Sequence, residues 1–117
     1  MFPAQAGVSR VSTIVRVRNF KCIYRVTYPN GKIYVGMDLT GDPRYFGSPS
    51  RVLLERDFSL DDLLDFTVRK EILWMSTGAT DHEVRMKEQE LIIANSANNP
   101  KIGYNQLPKY VAADEVH

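Results

Sequence analysis

Apolar residues from position 22 onward come in two short strand-like runs, Cys22 to Tyr28 and Lys32 to Met37, divided by Pro29-Asn30-Gly31. Aromatic and β-branched residues carry both runs, as suits a pleated, half-buried surface. Asn and Gly tolerate positive φ, so Asn30-Gly31 between such runs predicts a tight β-hairpin over residues 22–37. Upstream, Val11 to Phe20 is rich in β-branched residues. There Val15 and Val17 alternate with Arg16 and Arg18, the pattern of a strand with one wet face.

Residues 38–50 contain Gly41, Pro43, Gly47 and Pro49 and predict a structured loop. Ser48 or Ser50 can cap a helix that takes in Val52, Leu53 and Leu54 and ends near Asp57. Ser59 can cap a further helical turn to Leu64. Phe66, Val68, Ile72 and Trp74 share one parity and predict a strand, with Lys70 interrupting the series. Thr80-Asp-His-Glu83 is a capping box that opens a helix running to Asn95 or Ala97. Asn98-Asn99-Pro100 ends it. The expected fold is a small α+β domain: a central antiparallel sheet, made of the hairpin plus a further strand, flanked by helices.

The length of 117 residues suits one hydrophobic core. The net charge of +1 hides an asymmetry. Residues 1–37 hold six basic residues and no acid, whereas residues 38–117 hold nine basic and fourteen acidic ones. A basic third can contact phosphate through counterion release. Equally, Lys and Arg can simply decorate the wet faces of strands. No apolar run is long enough to span a bilayer and residues 1–10 have no signal-peptide pattern, so a cytoplasmic location and no membrane partner are expected. A single cysteine, Cys22, fits a reducing compartment. The only histidines are His82 and His117, which leaves no zinc spacing.

Four residues carry candidate chemistry. On an ideal helix Val84, Glu88, Leu91, Ile92 and Asn95 share one face. A carboxylate in an apolar stripe is costly unless paired or bound to a cation, so Glu88 is either a salt-bridge residue or a metal ligand. Tyr24 and Tyr34 lie on the two arms of the hairpin. Each can be a core tyrosine with a locally satisfied hydroxyl, or both hydroxyls can converge on one site. Arg44 sits in the Gly/Pro-rich loop, where an arginine is either solvated or turned into a cleft.

Taken together, these residues resemble the GIY-YIG endonucleases, in particular single-domain members of the phage and homing-endonuclease kind. Cys22-Ile23-Tyr24 and Tyr34-Val35-Gly36 match the paired tripeptides, and Arg44 follows Gly36 by eight positions. Glu88 with Ile92 four residues on matches the metal-binding helix. Gly103-Tyr104-Asn105 matches the closing segment, and Asp42-Pro-Arg-Tyr-Phe-Gly-Ser48 looks like the corresponding stretch of phage-type members. Five elements in order and spacing are far more specific than either tripeptide alone. Cys22 replaces the first glycine, and Ser48 stands where many members carry histidine or tyrosine.

The resemblance implies a basic N-terminal extension at 1–20, which is a candidate added strand, a nuclease-like domain at 21–107 and a tail at 108–117. It implies hydrolysis of DNA phosphodiester bonds by a tyrosine-assisted water and one glutamate-bound divalent cation. Glu88 would be the only protein ligand of Mg²⁺ or Mn²⁺. Arg44 would clamp the scissile phosphate, with Tyr24 and Tyr34 as the tyrosines and Lys32 and Asn105 as supports. Arg16, Arg18, Lys21 and Arg25 are the expected DNA contacts, and a homodimer or protein partner would supply specificity. The rival expectation is a module of the same fold that binds DNA or a protein without cutting.

Overall fold

The hairpin forms where the Asn-Gly signal sets it. β1 (Lys21–Thr27) and β2 (Ile33–Asp38) pair antiparallel in a computed structural model of the chain. The structure describes residues 20–42, 44, 45, 47, 49 and 51–112. All of the expected strand at 11–20 except Phe20, with Arg16 and Arg18, and also Ser48 and Ser50, lie outside the described residues. Gly31 takes φ +85°, a value its missing Cβ permits. The turn closes with the Tyr28 amide on the Lys32 carbonyl at 2.9 Å and the Gly31 amide on the Tyr28 carbonyl at 2.8 Å.

β3 (Arg69–Ser76) pairs antiparallel with the other side of β1, so the sheet order is β2-β1-β3. Among the described residues three helices complete the α+β fold: α1 (Arg51–Asp57), α2 (Leu60–Leu64) and α3 (Asp81–Ala94). As the central strand, β1 is covered on both faces, and Cys22, Ile23 and Tyr24 are buried in succession. Ile23 packs with Val35, Val84, Ile92 and Ala97 beneath α3. Tyr24 and Val26 pack on the opposite face with Tyr28, Phe58 and Tyr104. A side chain of this kind contributes roughly 1.5–3 kcal/mol when fully buried.

The even-numbered apolar series of the third strand does not stay on one face. The register moves from Ile23↔Trp74 to Tyr24↔Ile72, which leaves Leu73 as an extra residue opposite β1. Such a bulge reverses parity. Phe66 and Val68 therefore join the Tyr24 cluster, Trp74 packs against the Ile23 cluster, and Ile72 is left exposed.

α3 begins as its capping box dictates. Thr80 Oγ1 accepts from the Glu83 amide at 3.1 Å, and Glu83 Oε1 accepts from the Thr80 amide at 2.9 Å. Its inward face is the expected one: Val84 and Ile92 are buried, Leu91 packs beside them, and Asn95 accepts from Arg25 Nη1 at 2.6 Å. Among the described residues no helix is long and apolar enough to cross a membrane.

Asp57, at the end of α1, ties that helix to the hairpin. Its carboxylate takes Arg56 Nε at 3.0 Å, the Tyr104 hydroxyl at 2.7 Å and Lys32 Nζ at 3.0 Å. These donors, Arg56 first, hold its pKa well below the usual carboxylate range. A depressed carboxyl contributes stability that is present above about pH 4 and fades as the pH falls below it. Asp57→Asn is therefore expected to cost more stability at pH 7 than at pH 2, where the contribution is only partly lost, as urea midpoints at the two pH values will show. An equal cost at both would contradict this linkage.

Candidate active site

β2 lies at an edge of the sheet, where outward-facing backbone groups need partners. Every second residue finds one. The Ile33 amide donates to the Ile102 carbonyl at 3.1 Å, and the Ile33 carbonyl accepts from the Tyr104 amide at 2.8 Å. Two residues on, Asn105 imitates a strand with its side chain: Oδ1 accepts from the Val35 amide at 2.8 Å and Nδ2 donates to the Val35 carbonyl at 2.7 Å. The Met37 amide, the next in the series, hydrogen-bonds the carboxylate of Glu88. Gly103 lets the returning chain approach this closely, since a Cβ there would meet the backbone of Ala97, with Ala97 Cα only 2.7 Å away.

Tyr24 reaches the same edge from within the sheet. It pairs with Gly36, and its ring lies across that glycine, so that a Cβ at 36 would collide with the Tyr24 hydroxyl and lie 2.6 Å from Cζ. Gly47 packs onto the same side chain from the loop. A Cβ there would also strike the Tyr24 hydroxyl and come within 2.8 Å of Tyr34 Cε2. The two tyrosines thus converge beneath one loop residue. Tyr45 meets the Tyr24 ring edge-on, with centroids 6.0 Å apart.

The electrostatics follow from burial. Tyr24 is 1% exposed, and loss of water pushes its hydroxyl pKa well above the usual tyrosine value. Tyr34, Tyr45, Glu88 and Asp38 push it further in the same direction, so Glu88 is near enough for its charge to be felt there. At neutral pH Tyr24 is a protonated donor. Glu88 is half-buried, and desolvation raises its pKa against the lowering effects of the Met37 amide and of Arg85. Among the described residues it makes no ion pair within 4 Å. Its charge is thus poorly compensated. No three His, Cys, Asp or Glu residues gather among the described residues, so a cation here would rest on Glu88 with water and phosphate oxygens. A hard divalent ion accepts that donor set.

Arg44 is not turned into this cluster. Its side chain is 87% exposed and holds Asp42 Oδ1 through Nε at 3.3 Å, while its own amide donates to the same oxygen at 2.9 Å. The loop bearing it is organised by Asp38, a buried carboxylate. Oδ1 of Asp38 accepts from the Thr40 amide and hydroxyl at 2.8 and 2.7 Å, and Oδ2 accepts from the Asp42 amide at 2.9 Å. No family model, curated protein or solved structure matches this chain.

The remaining expected residues have ordinary structural partners. Lys32 sits at the turn end of the hairpin, four residues from Gly36 or roughly 13 Å along the strand, and is committed to Asp57. Asn105 supports β2 rather than the tyrosines directly. Lys21 binds Asp81 at 2.7 Å and the Ala79 carbonyl at 3.0 Å. Arg25 is held by Glu71 at 2.6 Å as well as by Asn95. Sequence reasoning gave no site role to Asp38, Gly47 or Lys70. The Asp-Leu-Thr-Gly-Asp run at 38–42 could have revealed the first, because an aspartate at a strand end readily caps a turn two residues on.

Proposed function

We propose that this chain is a metal-dependent DNA endonuclease of the GIY-YIG type. The observation that supports it most is the Tyr24 hydroxyl, which lies over Gly36 at the sheet edge where Glu88 holds the Met37 amide. Tyr24, kept protonated by burial, orients the attacking water by hydrogen bonding, and Tyr34 and Gly47 hold its ring in place. Arg44, on an exposed loop, exchanges Asp42 for the scissile phosphate and gains charge-assisted bonds there. Glu88 would hold Mg²⁺ or Mn²⁺, which supplies Lewis-acid stabilisation of charge on the leaving oxygen.

Supercoiled plasmid incubated with the protein and Mg²⁺ or Mn²⁺ is expected to give nicked or linear product, and none with chelator. Arg44→Ala should lose about 10²-fold or more in turnover, as removal of a transition-state donor does. Near wild-type cleavage by that variant would exclude Arg44 as the clamp.

A second reading has its own support. Arg44 bound to Asp42 and a deeply buried Tyr24 also suit a module that grips DNA, or a protein partner, without cutting. Absence of product with either metal, together with DNA affinity that falls steeply with salt, would favour a DNA-binding module. In both readings a second copy or a protein partner supplies specificity.

A further inference from the structure

Lys70 breaks the apolar series of β3 and has no part in the scheme above. It lies in register with Val26, two pairs along from Tyr24↔Ile72 and so on the same face of the sheet. Its Nζ stands 5.0 Å from the centroid of the Tyr24 ring, within the range of cation–π attraction, and donates to the backbone carbonyl of Tyr45. Tyr45 itself packs edge-on against Tyr24 and directly follows Arg44 in the chain. The charge of Lys70 is also felt at Asp42, the residue that Arg44 holds. One ammonium thus joins the third strand, the tyrosine and the loop bearing the arginine. These contacts, among the described residues, fall within a single patch.

We propose that Lys70 is a positioning residue of this site, whose ammonium clamps the Arg44 loop onto Tyr24. This rests on the nuclease reading for its effect on catalysis, but the clamp itself does not depend on it. Without the ammonium, the Tyr45 carbonyl loses its Lys70 donor and, among the described residues, the loop keeps the Tyr45 ring and Gly47 against Tyr24. Arg44 then samples more positions, and fewer of them face a phosphate at the sheet edge. A misplacement of about 1 Å in a positioning group costs up to about 10²-fold in rate.

The test compares Lys70→Met, which keeps the aliphatic stem and loses the charge, with Lys70→Arg, which keeps the charge. Amide hydrogen exchange in the intact protein is read at Arg44, Tyr45 and Gly47, with Val26 and Val35 as internal controls. Lys70→Met is expected to speed exchange at the three loop amides about tenfold and leave the controls unchanged, as local opening would. Lys70→Arg should restore most of the protection. On plasmid DNA, kcat of Lys70→Met should fall about tenfold, with KM changed less than about threefold. Unchanged loop exchange in Lys70→Met overturns the clamp. Faster loop exchange with wild-type kcat overturns the positioning role. Faster loop exchange in a protein whose wild type cuts no DNA supports the clamp and removes the nuclease reading.

Discussion

Replacing Glu88 with glutamine is expected to abolish cleavage and, at neutral pH, to raise the stability of the fold. The two effects have one cause. Desolvation holds the Glu88 pKa above its ordinary value of 4.5. A carboxyl raised by folding favours the folded state while protonated, and that contribution is lost as the pH climbs from the ordinary pKa through the raised one. At pH 7 the ionised side chain therefore costs stability, and glutamine removes the cost while its carbonyl still accepts from the Met37 amide. Below about pH 4 the two proteins should unfold at the same urea concentration. Mg²⁺ or Mn²⁺ should stabilise the wild type, by about 1.4 kcal/mol at ten times its Kd, and leave Glu88→Gln unmoved. Turnover should fall about 10³-fold or more, which corresponds to about 4 kcal/mol. Glu88→Ala should lose cleavage equally and keep its fold. Metal-dependent cleavage at full rate in either variant would refute the assignment of Glu88, and a glutamine variant that is less stable at pH 7 would refute the strain.

Gly36→Ala should be among the most damaging small substitutions in the chain. The added Cβ has no space, because it meets the Tyr24 hydroxyl and Cζ, and the ring cannot withdraw while Gly47 and Tyr45 pack against it. Overpacking of this kind costs about 1–3 kcal/mol. The misplaced hydroxyl should also lower cleavage. Tyr24→Phe removes the closest atom of the clash, so the double variant should recover part of the loss, with a coupling energy of about 1 kcal/mol. Cζ remains 2.6 Å from the built Cβ, so recovery should be incomplete. Urea denaturation of the four proteins measures this. Wild-type stability in Gly36→Ala would mean that Tyr24 does not lie across the glycine.

The resemblance assigned Gly36 to a motif without a reason, and the packing supplies one: the glycine is where the tyrosine crosses to the sheet edge. Asn105 was expected as a support, and its side chain completes the hydrogen bonding of β2 at Val35. Lys32 had the right type for a site cation but stands at the wrong end of the hairpin. Arg44 was placed by spacing alone, and spacing carries no information about rotamer. The structure turns it toward Asp42, which the sequence had two positions away all along.

Within the described residues, the sequence by itself determined the local architecture. The Asn30-Gly31 turn, the cap at Ser59, the capping box at Thr80 and the inward face of α3 all depend on residues a few positions apart, so periodicity and turn chemistry suffice to read them. Only the tertiary structure decided what depends on distant pairing. The bulge at Leu73 reverses the parity of the third strand. Both faces of β1 become buried, so its alternation conceals two cores. Asn105 closes an edge 70 residues away. The charge of Glu88 is felt at Tyr24 although the helix bearing Glu88 packs on one face of the sheet and the ring lies on the other. No local pattern records that relation, since it arises from the order of strands in the sheet and from a glycine small enough to let the ring lie across it.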